Sequence, residues 1–135
     1  MSWKYQNKEL KLDEEEVKKY AGFVYLITNK TDGRKYVGKK LFWFTRKKLV
    51  KGKSKRVKYE SDWRDYWSSS DELKEDVKRL GEENFEREIL HLVKTKGSAS
   101  YFEAKEQFLR EVLEKPDEWY NGQIRCRVHR SHVKL

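Results

Sequence analysis

The sequence predicts an α+β domain, a small three-stranded antiparallel sheet flanked by helices. Two short runs of strand character, "FVYLIT" and "RKYVGKK", are separated by the turn cluster "NKTDG", which reads as a β-hairpin. A third run, "NFEREILHLV", supplies another strand, with imperfect alternation. Around these lie segments with helical caps and helical apolar spacing. At 135 residues the chain forms one domain, without an internal repeat or a dividing linker. Only 36% of residues are hydrophobic and 41% are charged, so the core must be small. Five Trp, eight Tyr and six Phe can fill it, because each aromatic buries a large area.

Taken in order, "LDEEEVKKYAG" is expected to be a short helix. Asp13 would cap it, acids load its first turn, lysines its last, and Gly22 follows. The hairpin comes next. Residues 41–58, "LFWFTRKKLVKGKSKRVK", begin aromatic, where a helical start is expected, and end in a charged, glycine-broken loop or mobile arm. "SSSDELKEDVKRLG" is a helix with a Ser or Asp cap, apolar Leu73, Val77 and Leu80, and Gly81 as its stop. After the third strand, "SASYFEAKEQFLREVLEK" is the longest helix, its apolar face built on Tyr101, Ala104, Phe108, Leu109 and Val112, with Pro116 ending it.

The net charge is 32 − 23 = +9, and its distribution is uneven. Between Gly33 and Tyr59 stand twelve Lys or Arg and no acid, and from Gly122 to Leu135 four more and no acid. Segregated basic blocks beside aromatics are the electrostatic footprint of a polyanion partner. No run of about 18 apolar residues marks a membrane span. "MSWKYQNKEL" lacks the apolar stretch of a secretory signal, and the single Cys126 leaves no intramolecular disulfide. The expected location is the cytoplasm, that of the host cell if the chain is phage-encoded.

Phe23–Val24–Tyr25, then Tyr36–Val37–Gly38, then Arg46, with a glutamate on a later helix and an asparagine after it, resembles the GIY-YIG nuclease family. The last two would be Glu106 and Asn121. The resemblance runs from about Gly22 to Asn121 and is in particular to stand-alone and homing-type bacteriophage members. It implies a nuclease domain over 22–121 with a basic insertion at about 47–59, a helical extension at 1–21 and a basic tail at 122–135. Phe23 stands where the family begins its first tripeptide with glycine, although Gly22 precedes it. Val50 stands where many members carry His or Tyr, so Tyr59 is a candidate for the missing group.

Phosphodiester hydrolysis needs an attacking water, a clamp on the non-bridging oxygens and stabilisation of the leaving oxygen. Arg46 suits the clamp through its planar, permanently charged fork. Glu106 suits the metal, since one carboxylate with phosphate and water is enough for Mg²⁺ (or Mn²⁺). Glu103 is its rival, but Ser100-x-x-Glu103 reads as a capping box, which gives Glu103 a structural task. Tyr25 and Tyr36 would orient the water or accept its proton. Lys39, Lys40 and Arg46, or the metal, would lower their pKa from about 10. Gly38 would let the backbone approach the sugar–phosphate chain or permit a bend, and Asn121 would support the loop.

Cys126, His129 and His132 recur at three-residue intervals without a fourth ligand, which falls short of a closed zinc site. His91 is expected to be a packed or edge residue. DNA contacts are expected from Lys39, Lys40, Lys47, Lys48, Lys53, Lys55, Arg56 and Lys58, and in the tail from Arg125, Arg127 and Arg130. The expected function is a Mg²⁺-dependent DNA endonuclease. The alternatives are an inactive nucleic-acid-binding module of the same fold and an RNA-directed nuclease. Only 135 − 121 = 14 residues follow Asn121, so no separate binding region is expected. The chain would act as a homo-oligomer, recognise DNA structure, or cut with little selectivity.

Overall fold

The computed structural model describes residues 3–6, 8–9 and 14–135. Strands β1 (Lys4–Tyr5) and β2 (Lys8–Glu9) precede a one-turn helix α1 (Glu14–Val17). Then come β3 (Gly22–Asn29), β4 (Lys35–Leu41), β5 (Trp43–Val50) and β6 (Lys53–Glu60). Helix α2 (Asp71–Leu80), strand β7 (Phe85–Val93) and helix α3 (Lys96–Leu109) complete the order. The expected Asp13 cap lies outside the described residues. Among those residues, no helix is long and apolar enough to cross a membrane.

The main sheet runs β2-β1-β7-β3-β4, with β1 parallel to β7 and the other pairs antiparallel. Its three long strands are those the sequence predicts. The expected count of three falls short because Lys4–Tyr5 and Lys8–Glu9 add two short strands. Central β3 is buried on both faces. Phe23, Tyr25 and Ile27 pack with Trp3, Val17, Phe42, Trp63, Leu73 and Phe85, while Val24 and Leu26 meet Val37, Val112 and Trp119 on the other side.

The N-terminal stretch is therefore part of the core. Trp3 is 3% exposed and its indole N–H donates to the Trp63 carbonyl at 2.9 Å. Arg87 lies between Trp3 and Trp67, 4.5 and 4.4 Å from their ring centres, and donates to the Tyr66 carbonyl. Burial lowers its pKa to about 10.

Residues 43–60 form a separate two-stranded antiparallel arm instead of a helix and a loop. Its turn is Lys51–Gly52, with φ of 53° and 76°. Two successive positive φ values make the twist-matched, type I′-like two-residue hairpin loop. The sequence hides it because Lys-Gly lacks the usual Asn or Asp, and an arm wet on both faces needs no apolar alternation.

Helix α2 forms as expected: the Ser70 hydroxyl accepts from the Leu73 N–H at 3.3 Å, and the Gly81 N–H closes on the Val77 carbonyl. Helix α3 starts earlier than expected. Its cap is Thr95, whose hydroxyl accepts from the Ser98 N–H at 3.0 Å. Ser100 is thus inside the helix and Glu103 is released from any capping role. The helix also ends at Leu109, before Pro116, with Glu111 at φ 56°.

Strand β4 is a sheet edge, and the following segments cover it. The Lys35 N–H donates to the Glu118 carbonyl, the Lys35 carbonyl accepts from Tyr120, and the Leu41 carbonyl accepts from the Ser61 hydroxyl.

Candidate active site

The β3–β4 register sets Tyr25 opposite Gly38 and Ile27 opposite Tyr36. Opposed residues share a face, so both tyrosines project to one side, their ring centres 6.1 Å apart. Gly38 makes this packing possible. A Cβ there would stand 2.7 Å from Tyr25 Cζ and 2.8 Å from Tyr36 Cε1. Its missing side chain makes room for the two rings.

A third phenol completes the cluster. Tyr66 meets Tyr25 edge-on, their ring centres 6.0 Å apart. Tyr66 belongs to the loop between the arm and α2, where buried Ser68 holds φ 84° and Ser69 lies 3.2 Å from the Tyr36 hydroxyl. Tyr59 does not reach the cluster; it stacks on Phe44 in the arm at 5.7 Å.

The facing wall is α3 with the segment after it. Lys39 lies beside the Glu103 carboxylate, where it favours the charged form, and donates its ammonium to the Ser100 hydroxyl at 2.7 Å. The Val37 carbonyl accepts from Gln107 at 3.0 Å and from Asn121 at 2.8 Å, and the Val37 N–H donates to Asn121 Oδ1 at 3.1 Å. Between the walls lies a groove of about 470 Å³ lined by Tyr25, Tyr36, Lys39, Ser69, Glu103, Gln107, Gln123 and Arg125. A larger cleft of about 600 Å³ beside α2 lacks a paired-tyrosine and carboxylate grouping, so the smaller groove is the chemical candidate.

A family profile described as "Putative endonuclease segE, GIY-YIG domain" matches residues 3–124. The chain belongs to the GIY-YIG nuclease family. No curated protein and no solved structure matches it. The match begins at Trp3, well before Gly22, in keeping with that residue's place in the core.

Two of the expected site residues do not line this groove. Glu106 sits about 100° round α3 from Gln107, at 3.6 residues per turn, and turns to His91 Nε2 and Arg110 Nε, both at 2.9 Å. Burial pushes its carboxyl up, but the bonds from His91 and Arg110 hold it below its ordinary value. Arg46 is an exposed residue of β5, paired with Val57 and 5.0 Å from the Phe44 ring centre. It does not line the groove, whereas Arg125 does.

The phenols also depart from expectation. Burial pushes Tyr25 well above its ordinary pKa, and Tyr66, Tyr36 and Glu103 add to the rise. Burial raises Tyr36 and Tyr66 as well, against hydrogen bonds that lower them. The expected cations are engaged elsewhere: Lys39 on Ser100, Lys40 on Asp62 at 2.6 Å and over the Tyr66 ring at 4.1 Å. Glu103 is raised by burial, with Lys39 acting in opposition.

Of the expected DNA contacts, Lys47, Lys48, Lys53, Lys55, Arg56 and Lys58 are exposed on the arm, and Arg127 and Arg130 on the tail. Cys126 is exposed, His129 Nδ1 lies 2.8 Å from the Ser131 hydroxyl, and no group of three metal-binding side chains forms among the described residues.

Tyr66 and Glu103 are the members that sequence reasoning missed or set aside. For Glu103 the usable signal was phase, since Ser100, Glu103 and Gln107 share one helical face. Asn121→Ala should cost about 1–3 kcal/mol, because it leaves the buried Val37 N–H without its partner. Chemical denaturation would check this. Wild-type stability would mean that the clamp is replaceable.

Proposed function

We propose that the chain is a divalent-metal-dependent DNA endonuclease that hydrolyses phosphodiester bonds in the Tyr25–Tyr36–Glu103 groove. The observation that supports this best is Glu103, a desolvated carboxylate facing two stacked tyrosines, with Lys39 and Arg125 on the same groove. Burial has raised this carboxyl's proton affinity, a penalty that a cation beside it would reverse. One carboxylate in an open groove also fits Mg²⁺ or Mn²⁺, which keep most of their water and share substrate oxygens. Glu103 would hold the ion, which when bound supplies Lewis acidity at the leaving oxygen.

The chain's own groups divide the remaining work. Arg125 replaces Arg46 as the phosphate clamp, because its fork is the one in the groove. The phenols are too weakly acidic to serve as bases, so Tyr36, the half-exposed one of the two that line the groove, donates its O–H to a phosphate oxygen or to the attacking water. Tyr25 and Tyr66 hold that ring in place. A single groove cuts one strand at a time, so a double-strand break takes a second copy or a second encounter. Within this reading the chain groups with the phage stand-alone and homing-type enzymes that its motif resembles, working in the host cytoplasm.

Plasmid nicking tests the proposal. Cutting is expected with Mg²⁺ and not with EDTA, and matched oligonucleotides should show DNA cut in preference to RNA. Arg125→Ala should lower the rate at saturating DNA, whereas Arg46→Ala should weaken binding alone. DNA retained but never cut under any metal condition would favour the binding module instead.

A further inference from the structure

We infer that the β5–β6 arm is a two-stranded ribbon that enters the major groove of double-stranded DNA and anchors the nuclease on it. This rests on the reading of DNA as substrate and adds which form of DNA is bound, and by what. The arm carries eight Lys or Arg between Trp43 and Glu60, and its one acid, Glu60, is at the root. Nearly all of its side chains are exposed.

The pairing within the arm is unfavourable by itself. Lys47 stands directly opposite Arg56, and Lys48 opposite Lys55. Like charges facing each other across strands destabilise a ribbon, and a polyanion between or beside them removes that cost. At the tip, Leu49 is 77% exposed among cations. An apolar side chain there has a natural partner in the thymine methyl, which projects into the major groove.

The dimensions agree. Eight-residue strands at roughly 3.4 Å per residue reach about 25 Å. Two strands with their side chains fill the major groove, about 12 Å wide, and are too broad for the minor groove of about 6 Å. The root is firm: Phe42, fully buried, meets Trp63 at 4.9 Å and Phe23 at 5.0 Å, and the Ser61 N–H donates to its carbonyl. Because β4 carries Tyr36 and runs through Phe42 into β5, the arm and the cleavage groove address one duplex.

The test uses the full chain in EDTA and measures affinity for a plain duplex and for one bearing bulky C5 substituents on its pyrimidines, which occupy only the major groove. The substituted duplex should bind at least about tenfold more weakly, and an A·T minor-groove ligand should not compete. The Lys47→Gln/Arg56→Gln double variant should bind the two duplexes alike, with its salt slope reduced by roughly two. Equal wild-type affinity for the two duplexes overturns the arm's role while plasmid nicking stands. Discrimination that survives in the double variant overturns it too, since another element would then be in the groove. Wild type that cuts RNA and does not retain the duplex overturns both the arm and the DNA reading.

Discussion

Glu103→Gln is expected to lower strand cleavage by roughly three orders of magnitude, the several kcal/mol that a metal site contributes, while DNA affinity holds or improves. The substitution keeps the shape but removes the charge that would hold the ion. Affinity should not suffer, because a negative group leaves a groove that receives phosphates. Glu106→Gln is the paired control. It should cut normally and lose about 1 kcal/mol of stability, the modest value of a partly solvated ion pair.

The pH dependence of that loss has a definite sign. The Glu106 carboxyl is held below its ordinary pKa in the folded chain, so its contribution is present above the unfolded value. It disappears as pH falls through the folded value. Wild type and Glu106→Gln should therefore converge in acid. Gel assays beside thermal melts across pH would measure both effects. If Glu106→Gln were the dead enzyme and Glu103→Gln the active one, the assignment would be reversed.

Gly38→Ala should carry the second large effect. The added methyl would sit 2.7 Å from Tyr25 Cζ and 2.8 Å from Tyr36 Cε1, closer than packed carbons come. Tyr25 has nowhere to move, with Trp3 at 5.3 Å, Phe23 at 6.0 Å and Tyr66 on its remaining side. Overpacking of this kind costs about 1–3 kcal/mol. The displaced Tyr36 should lower turnover by about 10²-fold, the cost of an ångström-scale misplacement. Gly122→Ala, with nothing within 4 Å of its Cβ, should change neither stability nor rate. A Gly38→Ala enzyme with normal kinetics would show that the tyrosine packing does not set the chemistry.

The elements legible in the sequence were those with local signals. The β3–β4 hairpin has its Asp–Gly turn, and α2 its Ser70 cap and Gly81 stop. The tyrosine pair followed from the same hairpin, since opposed positions share a face. In the sequence Glu103 is set aside for a local reason: Ser100-x-x-Glu103 imitates a helix start, but Thr95 is the cap that the chain uses. Arg46 follows from the family resemblance and its planar fork, but the fold sets it on the exposed arm, outside the groove. Tyr66 and Trp3 reach the site and the core by long-range packing, of which no short stretch of sequence holds a trace.

The covered edge of β4 has a further consequence. Along it the Lys35 and Val37 backbone groups and the Leu41 carbonyl are taken: by Glu118 and Tyr120, by Asn121 and Gln107, and by Ser61. Open strand edges template self-association. Gln107 of the groove wall and Asn121 beside it thus also occupy backbone groups through which a second copy could pair with this edge. Variants that loosen the wall should aggregate before they unfold, and screens for lost activity will recover insoluble proteins among the inactive ones.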